Sequence, residues 1–226
     1  MASFSVLSLG TRRDAKQFQK GAIKKLHLSA GITLNTPKPP LEDIKKLFAR
    51  SDDVLFLAGH YAGSLYNADH TVDVAFAADK LTIRYDGQTS VLNRGTQFKQ
   101  TNCKLVIWGG CSVCDDDGAI AVIRALFGSP VLIGWIGVTG WEITDIMFGG
   151  KGHGSAEPEP LPDFAEPNYF TALGGSITDP ARLWKDWLKV AKAIPWGNDA
   201  QGKPFLDRFC AVDSGGKKHV ASEAIV

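Results

Sequence analysis

Cysteine is scarce in this 226-residue chain, with four residues in all: Cys103, Cys111, Cys114 and Cys210. Four thiols are too few for the disulfide framework of a small secreted domain, so each reads as reduced and needs its own explanation. An excess of charge is missing as well. Lys and Arg number 25 against 24 Asp and Glu, spread along the sequence without the concentrated basic surface that a phosphate backbone requires, which argues against nucleic acid as a partner. No apolar run reaches bilayer-spanning length, so no membrane partner is expected either. The stretch MASFSVLSLGTRRDAK places its charges after a short apolar segment, the reverse of a secretory signal. A cytoplasmic protein is the expectation.

What is present is an alternation of strand-like and helix-like segments. Residues 4–10 form a short apolar strand, 14–31 carry helical spacing, 32–34 suggest a second short strand and 41–53 an amphipathic helix with acids in its first turn. The runs VLFLAGH (54–60), KLVIWGG (104–110) and PVLIGWIGV (130–138) are continuously apolar, the pattern of strands buried on both faces of a parallel sheet. Between the first two, residues 72–93 alternate around Asp86 and Gly87 and read as a β-hairpin excursion. A helix follows Cys111 and runs to about Phe127. After a Gly- and Pro-rich loop at 149–167 comes a helix at 179–194 whose Trp184, Trp187 and Leu188 form a core stripe. The tail from Pro195 is polar and carries little pattern. These signals predict an α/β fold, a three-layer sandwich with a mostly parallel central sheet and right-handed crossovers, as a single domain over residues 1–226.

In such sheets ligands bind outside the carboxyl ends of the strands. His60 ends one buried run and Cys111 directly follows another, so neighbouring strands would bring them together. A cysteine attacks a carbonyl as the thiolate, and an acid must then protonate the leaving amine. Histidine can serve both needs. With Cys111 placed directly before a helix, that helix's N–H groups and dipole would favour the thiolate and an oxyanion. Asp115, Asp116 and Asp117 would oppose it.

The segments VLSLGTRRDA, LHLSAGITL, DDVLFLAGH, KLVIWGGCS and GAIAVIRALFGSPVLIGW occur in this order over residues 4–140. Together they resemble the caspase and gingipain clan of cysteine peptidases, most closely its bacterial CHAT-type branch. The 51 residues from His60 to Cys111 match the caspase spacing of about 50. The resemblance implies a thiol protease in which His60 is the catalytic histidine and Cys111 the nucleophile, with the Cys111 N–H in the oxyanion hole. Where that clan has a Gly after the His, this chain has Tyr61, in GHYAG, so the Tyr61 N–H is the candidate second donor. The QAC of animal caspases is absent, and WGGCS is nearer to CHAT and separase forms.

The resemblance also points to Arg12 or Arg13 as a binder of an acidic P1 side chain, while Asp145 and Glu142 would suit a basic one. Trp135 and Trp141 are candidates for the floor of a peptide groove. His153 lies in the 149–167 loop, which would serve as a lid. The substrate is expected to be protein or peptide, no metal or organic cofactor is required, and an activating protein partner is left open. Two other readings stand beside the hydrolase. Cys111-Ser-Val-Cys114, with Trp108 just upstream, is also the local form of a thioredoxin-like dithiol oxidoreductase, and the chain is also readable as an inactive caspase-like interaction module. A zinc site from His60, Cys103, Cys111 and Cys114 rests on a single C-x-x-C, a weak signal.

Overall fold

The structure is a computed structural model that describes residues 2–137, 141–150, 168–198 and 202–223. In chain order the elements are β1 (Ser3–Ser8), α1 (Arg13–Lys24), β2 (Ser29–Asn35), α2 (Leu41–Phe48), β3 (Val54–Ala58), β4 (His60–Tyr61), β5 (Ser64–Tyr66), β6 (Val72–Phe76), β7 (Lys80–Tyr85) and β8 (Gln88–Asn93). They continue with β9 (Leu105–Trp108), α3 (Asp117–Phe127), β10 (Val131–Trp135), α4 (Trp141–Met147), α5 (Tyr169–Leu173), α6 (Pro180–Ala193), a 3-10 turn (Phe205–Arg208), β11 (Phe209–Val212) and β12 (Lys218–Val220).

Seven strands form the main sheet in the order β12-β11-β10-β9-β3-β1-β2. The pairings from β2 to β10 are parallel, and β11 and β12 extend the sheet antiparallel. The continuous apolar runs follow from burial on both faces, because side chains alternate between the faces of a strand. Along β3, Val54, Phe56 and Ala58 enter one core, which is roofed by α1, α4, α5 and α6. Leu55 and Leu57 enter the other, shared with α2, α3 and a second sheet. β9 repeats the division, Leu105 and Ile107 to the first core and Val106 and Trp108 to the second. The second sheet is antiparallel, β4-β5-β6-β7-β8. It docks through Trp108, whose indole is met edge-on by Tyr61 at 5.1 Å and Phe76 at 5.3 Å between ring centroids.

Several expectations change. The helix predicted over 14–31 stops at Lys24, and β2 occupies Ser29–Asn35 rather than a three-residue strand. His27, at φ 52°, turns the chain between them. The hairpin at 72–93 is the outer part of a five-stranded sheet that already begins at His60. The tail, read as featureless, supplies β11 and β12. The 149–167 loop with His153 falls almost wholly outside the described residues. Among the described residues no helix is long and apolar enough to cross a membrane.

At the amino ends of the strands a buried carboxylate ties the sheet together. Asp52, fully buried at its side chain, accepts from the Ser3 and Ser5 hydroxyls at 2.7 Å each. It also accepts from the Arg50 guanidinium at 3.0 and 3.1 Å and from Gln100 Nε2 at 3.1 Å. Burial pushes its pKa up, but these bonds outweigh burial and hold it below the ordinary 3.8. A carboxylate whose folded pKa is depressed contributes stability that is complete above its unfolded pKa and is lost as pH falls through the folded one. Asp52→Asn is therefore expected to lower neutral-pH stability by about 2 kcal/mol, with the gap to the wild type narrowing below pH 3.8. Urea titrations at neutral and acidic pH measure both.

Candidate functional site

β3 and β9 are direct parallel neighbours, with Leu57 opposite Trp108 as their last pair. His60 lies three residues past Leu57 and Cys111 three residues past Trp108, so both leave the sheet at the same edge with equal overhang. The two chains stay together after the pairing ends. The Gly109 N–H donates to the Leu57 carbonyl at 2.7 Å. A β-carbon on Gly110 would lie 3.0 Å from the Gly59 carbonyl oxygen and 2.8 Å from Trp108 Nε1. A larger residue at 110 would thus force the two backbones apart one position before the candidate pair. His60 is exposed and Cys111 half-buried.

Cys111 does not directly precede the helix. The loop 111–116 intervenes, and α3 starts at Asp117 with Asp116 as its cap, whose carboxylate accepts from the Gly118 and Ala119 N–H groups at 2.7 and 3.2 Å. A helix dipole acts within its first turn, so Cys111 lies beyond its reach and the expected help from α3 is withdrawn. The three acids are also each engaged elsewhere: Asp115 accepts from Gly137 N–H at 2.9 Å, Asp116 caps the helix, and Asp117 pairs with Lys218 at 2.7 Å.

The loop that carries the thiol is instead held by the sheet. Ser112 N–H donates to Gly137 O at 2.8 Å, Cys114 N–H to Trp135 O at 3.0 Å, and Lys218 Nζ to Cys114 O at 2.9 Å. Gly134 lets the loop lie flat, since a β-carbon there would meet Val113 Cγ1 at 2.5 Å. These ties keep Ser112 at φ 55°, a left-handed conformation that a side-chain-bearing residue holds only when its surroundings demand it. With the flanking N–H groups of Gly109 and Ser112 bonded to Leu57 and Gly137, neither is a donor for an oxyanion. The Tyr61 N–H is differently placed. Ala62 N–H bonds Ser64 O at 3.2 Å, so by the alternation of an antiparallel ladder Tyr61 and Leu65 form the non-bonded pair and the Tyr61 N–H points away from β5. The Tyr61 ring is half-buried, and burial raises its hydroxyl pKa, with Asp116 adding to the effect.

The other candidates separate. Arg12 reaches this edge: its Nη2 would lie 3.4 Å from a β-carbon on Gly109. Its fork is engaged by the buried Asp14, at 3.0 and 2.6 Å. Arg13 is exposed. Trp135 is 1 % exposed and packs on Phe209 and Trp187 at 4.6 and 5.8 Å, so it belongs to the core and not to a groove. Asp145 is 2 % exposed in α4, where Gly150 covers it so closely that a β-carbon there would lie 2.1 Å from Oδ2, and a substrate side chain has no access to it. The side chains of Trp141 and Glu142 lie outside the described residues. Cys103 sits at the opposite end of β9, its Sγ 3.4 Å from Asp52 O, so the four residues considered for zinc do not converge. Among the described residues no three His, Cys, Asp or Glu group to hold a metal.

Three of the thiols are sealed. Cys103 is 4 % exposed, Cys114 and Cys210 0 %. Burial, with Asp52 and Asp53 nearby, pushes the Cys103 thiol far up. A hydrogen bond with Cys210, reinforced by burial, holds Cys114 well above the ordinary thiol value. Residues that the sequence reading passed over complete the setting: Gly137 and Lys218 around the thiol's loop, and Tyr66 and His70 around the imidazole. The chain matches no protein-family model and no curated protein sequence. Brief iodoacetamide treatment of the native protein is expected to label Cys111 alone, and all four thiols after unfolding, as read by peptide mass spectrometry.

Proposed function

We propose that the protein is a caspase-like cysteine peptidase of the cytoplasm, acting on protein or peptide substrates through His60 and Cys111. The observation that carries the reading is the matched overhang of β3 and β9, which delivers an imidazole and the one unsealed thiol to a common edge. In this mechanism the Cys111 thiolate attacks the scissile carbonyl, and backbone N–H groups, with Tyr61 a candidate donor, hold the resulting oxyanion. His60 donates a proton to the departing amine as the C–N bond breaks, leaving a thioester on Cys111. It then takes a proton from water, whose oxygen attacks the thioester and releases the acid and the free thiol. Of the two P1 readings, the basic one loses Asp145, which is covered, and the acidic one is left with the exposed Arg13, since the Arg12 fork is taken by Asp14.

The dithiol alternative is less well supported. A C-x-x-C oxidoreductase exchanges electrons through both sulfurs as thiolates, whereas burial and Cys210 hold the Cys114 thiol protonated. Profiling with a random peptide library is expected to show peptide-bond cleavage, with the P1 preference read from the products. Cys111→Ala and His60→Ala should each lower kcat/KM by about 100-fold or more, with Cys114→Ala retaining most of the activity. Equal dependence on Cys111 and Cys114 would return the redox reading. Absence of hydrolysis, with partner binding indifferent to Cys111→Ala, would make the chain an interaction module.

A further inference from the structure

An imidazole that must serve as acid and then base needs a fixed orientation, yet His60 stands exposed at a sheet edge. Among the described residues no side-chain hydrogen bond fixes its ring. What it has is a stack. The Tyr66 ring, from the residue directly opposite in the β4–β5 ladder, lies nearly parallel to it, with centroids 5.6 Å apart and planes 25° apart. The same tyrosine ring also stacks with His70, at 4.3 Å and 17°. Tyr66 thus joins the candidate base and His70 in one aromatic cluster.

The turn that carries His70 is held by hydrogen bonds. His70 holds φ 57° in a turn organised by Asn67, which is 1 % exposed. The Asn67 amide donates to Pro37 O at 2.9 Å and to Thr71 Oγ1 at 3.0 Å. Its carbonyl oxygen accepts from Val72 N–H at 2.9 Å. The His70 N–H closes the turn on Asn67 O at 3.1 Å. A left-handed residue with a side chain is held in place only where the surroundings over-determine it, and here they present an imidazole to the Tyr66 ring.

We propose that Tyr66, backed by His70, is a positioning residue for His60: the stack limits the ring's rotation and keeps one nitrogen directed across the β3–β9 edge toward Cys111. The inference rests on the His60–Cys111 reading. Neither Tyr66 nor His70 touches the reacting atoms. Their effect is on the fraction of time the imidazole is in place, so the ring matters and the phenol hydroxyl does not.

The test uses the full-length protein and the rate of Cys111 alkylation by iodoacetamide, followed by mass spectrometry between roughly pH 5 and pH 8. His60→Ala gives the rate without the imidazole. Tyr66→Phe keeps the ring and is expected to match the wild type across the pH range. Tyr66→Leu keeps apolar bulk and loses the stack, and is expected to slow alkylation near neutrality by about three- to tenfold, toward the His60→Ala profile, at an unchanged thermal midpoint. His70→Ala alters only an exposed ring and is expected to fall between these two. It carries the test by itself should Tyr66→Leu not fold. Wild-type alkylation in Tyr66→Leu and His70→Ala, with His60→Ala slowed, would overturn the positioning role and leave the dyad standing. A His60→Ala profile identical to the wild type would remove the dyad, and the inference with it.

Discussion

The arrangement depends on how closely β3 and β9 run after their ladder has ended. Parallel strands are about 4.8 Å apart while hydrogen-bonded and normally diverge once they leave the sheet. Here Gly109 and Gly110 let the two backbones continue side by side, so the residues that follow, His60 and Cys111, leave the same edge of the sheet from adjacent strands. The sheet fixes their separation and the glycines extend the sheet's control one step into the loops. Trp108, packed under this crossing, also carries the second sheet, so the support of the candidate base and the support of the thiol meet on a single side chain.

Each partner is then stabilised differently. The thiol's loop is tied by backbone and side-chain hydrogen bonds from β10, the residues after it, and β12. The imidazole depends on ring stacking within the second sheet. A polar clamp on one side and an aromatic one on the other suit their tasks. In the proposed mechanism a nucleophile's loop has to resist strain at Ser112, whereas a proton-carrying ring has to change charge without losing its support, and a stack on tyrosine tolerates either protonation state.

Much of the fold was legible because three strands are buried on both faces. VLFLAGH, KLVIWGG and PVLIGW have no polar interruption, and only an interior parallel strand reads that way. That β3 and β9 are neighbours was a condition in the sequence and is a finding of the structure. β11 was not legible: FCAV is four residues between polar flanks, too short for a period, and its partner β10 is distant in sequence while β12 is shorter still. β4 and β5 were missed because HYAGSLY bends back at once and never alternates for long enough. The start of α3 was misplaced for a chemical reason. Asp115, Asp116 and Asp117 all have the side chain of a cap, and only the tertiary bond from Gly137 to Asp115 and the ion pair of Lys218 with Asp117 leave Asp116 for that role. Trp135 was read as a groove floor although period-2 alternation along 131–135 places it with Val131 and Ile133 in the core.

The bond from Lys218 to the Cys114 carbonyl spans 104 positions in the chain. Contacts of such separation form late, after the nearer parts of the sheet have paired. During synthesis, with the amino-terminal part folding first, the sulfur-bearing loop would leave the ribosome long before the lysine that finishes it. One tie on the loop around Cys111 therefore waits for Lys218, and a nascent fragment that already carries both His60 and Cys111 still lacks that tie.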